Sequence, residues 1–140
     1  MHRNRVTLKE AEKFHGHLGP YLVLGILAGE IALKKLRHKR YFGLTVKVWG
    51  ANKKPQSCLI DGLQLSTGAT YGKGNIHKLN SNDIKVLISN FENDKKIKIS
   101  FKKDLITKLN NLKGHRESEE FARKLYKITP SRIFNLTTYN

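Results

Sequence analysis

Residues 21–33, Tyr-Leu-Val-Leu-Gly-Ile-Leu-Ala-Gly-Glu-Ile-Ala-Leu, are apolar on nearly every side of a helix. A helix of that kind is buried on most of its faces and cannot lie on a surface. Pro20 suits its first turn, where a missing N–H has no partner to lose, and the pattern continues to about Arg37. Gly25 and Gly29, with Ala28 and Ala32, would let another backbone approach closely. Two arrangements cover such a helix: the chain's own sheet, or a second copy of the chain. In 140 residues this much apolar surface is hard to cover internally, so a homodimer through residues 21–33 is the expectation. The apolar run, residues 18–33, is broken by Glu30 and falls short of the ~20 residues that a bilayer requires. No membrane segment and no secretion signal are read, and the single cysteine excludes an internal disulfide framework. A soluble, cytoplasmic protein is expected, with one domain over residues 1–140.

Around this helix the pattern mixes helices and strands. Residues 7–13 form a short helix capped by Thr7, with Glu10 completing a capping box. Residues 44–49 alternate and are rich in β-branched types, which predicts a strand. A second helix follows from Pro55 to about Thr67, then strands at 75–78, 83–91 and 95–101. Helices near 104–112 and 118–127 follow, and a Pro130-led tail holds Ile133, Phe134 and Leu136. No regular βαβ alternation runs through the chain, so the class is α+β, with helices packed on one small sheet.

Two short segments carry the chemistry. In Phe14-His15-Gly16-His17-Leu18-Gly19-Pro20, two histidines occupy a Gly/Pro turn ahead of the apolar helix. In Ser57-Cys58-Leu59-Ile60-Asp61-Gly62-Leu63-Gln64, the only cysteine opens the second helix. At 100° per residue Cys58, Asp61 and Gln64 fall on one stripe about 120° wide. Lysine and glutamate are absent from residues 57–71, so the stripe is expected to face the interior, where a carboxylate needs a partner. The histidine turn is the segment able to supply one. His17 and Cys58 are read as ligands of one transition metal, zinc most suitably, or as a thiolate and base pair. Asp61 would complete the metal's shell or orient an imidazole, His15 would bind or cap, and Gln64 would hydrogen-bond a ligand. His2, His38, His77 and His115 lack such a setting and are read as surface residues, His77 being the candidate exception.

The loop Gly68-Ala69-Thr70-Tyr71-Gly72-Lys73-Gly74 fails the Walker pattern in its glycine spacing, and Gly74 stands where a magnesium-binding hydroxyl belongs. Its backbone N–H groups and Lys73 could still hold a small anion, or the loop is a helix-to-strand turn that uses glycine for positive φ. The net charge of +16, from 27 Lys and Arg against 11 Asp and Glu, raises a second functional class. That is a basic module binding nucleic acid through the 34–40 cluster and residues 95–103. Cations capping a helix terminus, or life at high temperature, account for the same charge.

The three blocks Phe14–Pro20, Cys58–Gln64 and Thr67–Asn75 resemble, in order and spacing, the signature of the FmdE-like family associated with formylmethanofuran dehydrogenase, and the tail Pro130-Ser-Arg-Ile-Phe134 is similar to that family's end. The resemblance implies an archaeal-type α+β domain like the C-terminal domain of glyceraldehyde-3-phosphate dehydrogenase, with a mixed four-stranded sheet and a tendency to dimerise. It implies a pocket built from His15, His17, Cys58, Asp61 and Gln64, with Thr67, Thr70 and Lys73 as further ligand-binding positions. It also implies a connection with a molybdenum or tungsten oxidoreductase complex. Leu18 and Ala69 stand where the family typically has cysteines, and the cysteine-rich zinc module of many relatives is not found in these 140 residues. A two-thiol redox mechanism therefore has no second thiol here.

Overall fold

The computed structural model describes residues 5–140. Among them are five α-helices and five strands. The helices are α1 (Leu8–His15), α2 (Pro20–Leu36), α3 (Cys58–Thr67), α4 (Lys103–Asn110) and α5 (Gly114–Leu125). The strands are β1 (Leu44–Trp49), β2 (Ile76–Leu79), β3 (Lys85–Asn90), β4 (Lys96–Phe101) and β5 (Phe134–Tyr139), with a 3₁₀ turn at Pro130–Arg132. The strands form one mixed sheet in the order β2-β1-β3-β4-β5, parallel only between β1 and β2. The sheet thus has five strands where the family resemblance implies four. The extra one is the tail: Phe134, Leu136 and Thr138 pair opposite Phe101, Ile99 and Ile97, and Phe134 is buried in the core. The tail does alternate, but its threonines and asparagines mask the pattern in the sequence.

The α+β class holds, and α2 is its axis. It lies on the inner face of the sheet against β3 and β4, between α3 and α5. Thirteen of its residues are buried. The covering expected from a second copy is therefore supplied within the chain, and α2 keeps no broad apolar face for a dimer interface.

The glycines explain how. A Cβ at Gly25 would collide with the Leu59 carbonyl and stand 2.8 Å from the Gly62 Cα; a Cβ at Gly62 would meet the Leu22 carbonyl and the Gly25 Cα in the same way. The two glycines form a reciprocal notch in which α2 and α3 cross with backbones nearly touching. One turn on, Ser66 Oγ occupies the space above Gly29 and donates to Gly25 O at 3.0 Å and Gly62 O at 2.9 Å. A buried hydroxyl must find acceptors, and Ser66 finds them on both helices.

The candidate site at the start of α3

Helix α1 begins as its sequence demands: Thr7 accepts from the Glu10 N–H, and the Glu10 carboxylate returns to the Thr7 N–H. It ends later than its apolar pattern suggests, at His15, because Gly16 takes a left-handed conformation (φ 104°) and donates to Glu12 O at 2.7 Å. His15 is therefore a helical residue with a fixed direction. Leu18, 3% exposed, plugs the following turn into a small cluster with Val6, Ala11, Leu22 and Ile26. Leucine in that position secures the turn by burial.

On α3, Leu59, Gly62, Leu63, Ser66 and Thr67 are buried. Cys58, Asp61 and Gln64 are only half-buried, so the polar stripe faces the rim, not the interior. Asp61 meets α1 there: His15 Nδ1 lies 2.6 Å from Asp61 Oδ2, with the imidazole 11% and the carboxylate 36% exposed. Gln64 Nε2 donates to Asp61 Oδ1 at 3.3 Å, and Gln64 Oε1 accepts from the Tyr71 N–H at 3.0 Å. A carboxylate only accepts, so Nδ1 of His15 carries the hydrogen and Nε2 of the neutral ring keeps its lone pair. That Nε2 is buried and has no hydrogen-bond partner among the described residues. The His17 ring lies 4.8 Å from that of His15, centroid to centroid.

These groups border a cleft of about 230 Å³. His15, His17, Cys58, His115 and Ser118 line it, with walls from Leu18, Pro20, Tyr21 and Pro55. His17 and Cys58 share the cleft without a hydrogen bond between them; the imidazole that Asp61 orients is His15. His115 is exposed, as its sequence setting implies, yet the start of α5 brings it to this rim. Nothing in local spacing could have found it, since it lies 57 positions after Cys58. Burial pushes the Cys58 thiol up, and the Asp61 charge adds to this against a smaller opposing effect of Lys54. Cys58 is thus a thiol at neutral pH. Among the described residues, no three His, Cys, Asp or Glu side chains converge as a preformed metal site.

The third block lies elsewhere. Thr67 is fully buried, donating to Leu63 O at 2.6 Å and accepting from the Ala69 N–H at 3.1 Å. Thr70 Oγ1 accepts from Lys73 N at 3.2 Å and Lys73 Nζ at 3.3 Å. Lys73 Nζ also donates to Gly68 O, with the Tyr41 and Phe42 rings 6.0 and 5.5 Å away. Asn75, which no sequence pattern singles out, ties this loop down by accepting from Thr70 N and donating to Tyr41 O. Gly68 and Gly74 both have positive φ, as a helix-to-strand turn requires. Lys73 is held inside its own loop and is not presented to an anion. Of the other histidines, His77 is exposed on β2. His38 is buried, not superficial, with Nδ1 2.6 Å from Lys39 O, and His2 lies outside the described residues.

The fold and cleft define a small α+β protein with a carboxylate-anchored histidine beside a lone thiol. Residues 14–135 match the family model described as FmdE, Molybdenum formylmethanofuran dehydrogenase operon, and the chain belongs to that family. It is similar in fold to a tungsten formylmethanofuran dehydrogenase FmdE-like protein from Syntrophus aciditrophicus, with a TM-score of 0.71 and 18% identity over 95% of this chain and 70% of that one. It is also 29% identical over 129 residues to a probable S-adenosyl-L-methionine-binding protein of Archaeoglobus fulgidus. That match takes in 84% of this chain and 35% of the relative, so the chain spans about a third of that protein's length. Among the described residues no helix is long and apolar enough to cross a membrane.

Proposed function

We propose that this chain is an accessory component of an oxidoreductase assembly that binds a transition metal ion in the cleft at the start of α3. The observation that carries the reading is His15: its Nδ1 is anchored on Asp61 and its buried Nε2 is unpartnered among the described residues. A carboxylate behind an imidazole is the usual arrangement of a metal-bound histidine, because it fixes the tautomer and raises ligand basicity. His15, His17 and Cys58 are the residues that would hold the ion. Imidazole and thiol donors suit zinc. With three protein ligands or fewer, a position stays open, and the bound ion would supply a Lewis acid there. The S-adenosyl-L-methionine in the name of the Archaeoglobus relative is not carried over, since only 35% of that protein is matched.

Isothermal titration with Zn²⁺, and metal analysis of protein purified without chelators, test this. His15→Ala and Cys58→Ser should each weaken binding by about tenfold or more, and Asp61→Asn by about 10- to 100-fold, while His77→Ala leaves it unchanged. Because the Cys58 thiol is pushed up and must lose its proton to ligate, affinity should rise with pH more steeply in the wild type than in Cys58→Ser. Equal zinc binding by all four variants would overturn the reading.

A further inference from the structure

The helices cover one face of the sheet and leave the other open. On the open face, the register sets Trp49 beside Lys85 and Ser100, Lys47 beside Leu87 and Lys98, and Ser89 beside Lys96 and Tyr139. Four lysines, Lys47, Lys85, Lys96 and Lys98, thus sit on three adjacent strands. Among the described residues none of them forms a salt bridge. A depression of about 760 Å³ runs across this face with Trp49 and Tyr139 in its lining, and Asp94 is the one acid among the described residues that border it. Tyr139 is 42% exposed. Three strand spacings separate β1 from β5, which is about 14 Å, and Trp49 and Tyr139 lie two side-chain repeats apart along the strands.

We propose that this open face binds single-stranded RNA. Lysines flanking two separated aromatic rings match a backbone of phosphates with unstacked bases, and such bases stack on aromatic side chains of an open sheet. Between the lysines the face carries hydroxyl and amide groups, Ser89, Ser100, Asn135 and Thr137, which are hydrogen-bonding partners for 2′-hydroxyls. A second copy of this chain is disfavoured as occupant, since two such faces would bring eight ammonium groups together. The surface differs from the one the charge pattern alone suggests: residues 34–40 lie at the end of α2, and from 95–103 only Lys96 and Lys98 point outward from the sheet.

Trp49 is the sole tryptophan, so its fluorescence reports directly. Titration with a 12-residue oligouridylate at low salt should quench it, with a log–log salt slope of about −3 if four lysines are neutralised. Lys85→Glu/Lys98→Glu should abolish binding, and Trp49→Leu, followed by anisotropy of a labelled oligomer, should weaken it about tenfold. Lys34→Glu/Lys35→Glu should leave it unchanged, and circular dichroism checks that each variant is folded. The proposal is overturned by absence of binding at about 50 mM salt. Sheet-face variants that bind like wild type, equal or tighter binding of the matching oligodeoxynucleotide, or preference for a polyglutamate chain overturn it too. So does a dimer mass that only the sheet-face variants reduce.

Discussion

One side of α3 meets α2 through Gly25, Gly62 and Ser66, with no side-chain volume to give and the buried hydroxyl satisfied. The opposite side meets α1 through His15, Asp61 and Gln64, half open to water and with one buried nitrogen unpartnered among the described residues. The same ten-residue helix therefore carries a surface built for packing and a surface left incomplete. The difference teaches how to tell a fold requirement from a site. Substitution on the first side should be felt as stability, and on the second as chemistry.

The sharpest way to break that contrast is Gly25→Leu. The new side chain would run into the backbone of α3, which cannot move aside, and the cost should reach about 3 kcal/mol. Thermal denaturation should show a fall in Tm on the order of 10 °C or a failure to fold. A native Tm with a changed association state would instead restore α2 to a dimer interface. Gly29→Ala comes next, at about 1–2 kcal/mol, because Ser66 already fills the space. Adding Ser66→Gly should return part of that loss, and a double-mutant cycle by urea denaturation measures the coupling. Purely additive effects would mean the two residues do not touch.

Across the helix the effect on stability should be smaller. Asp61→Asn weakens a half-open pair and should cost under about 1 kcal/mol. Its effect on Cys58 should be plainer: the Asp61 charge helps hold the thiol up, so in Asp61→Asn the pH midpoint of thiol alkylation should move down. Burial, the larger cause, stays in place, so the midpoint remains above that of an unfolded control. The smallest effect concerns pH and stability. A thiol raised in the folded state favours folding below its unfolded pKa, and that contribution is lost as pH rises through the folded value. Stability should therefore decline at alkaline pH, less steeply in Cys58→Ser, as denaturation midpoints taken across that range would reveal.

Most elements are legible in the sequence because their signals are local. Thr7 with Glu10, Pro20, and the alternation in residues 44–49 each announce an element without reference to the rest of the chain. The pairing of Gly25 with Gly62 is not legible: small residues on a helix show that something approaches, and the approaching partner is set by tertiary structure. The same holds for the site. His15 and Asp61 both stand out in the sequence, but that His15, and not His17, meets the carboxylate depends on where Gly16 ends α1. The polar stripe of α3 does not turn inward, because a lack of lysine and glutamate does not by itself mean burial; α1 and Gln64 shield the stripe from the side instead.

The notch between α2 and α3 has a consequence for the accuracy of the cleft. Successive residues on a helix are about 100° apart, so Gly62, caught in the notch, sets the azimuth of Asp61, its chain neighbour. A bulkier crossing would let α3 roll on a cushion of rotamers, and Asp61 would swing with it relative to His15. With two backbones in contact there is one rotational setting, and the carboxylate is indexed to it. The aim of the histidine is thus calibrated by a place where side chains are missing.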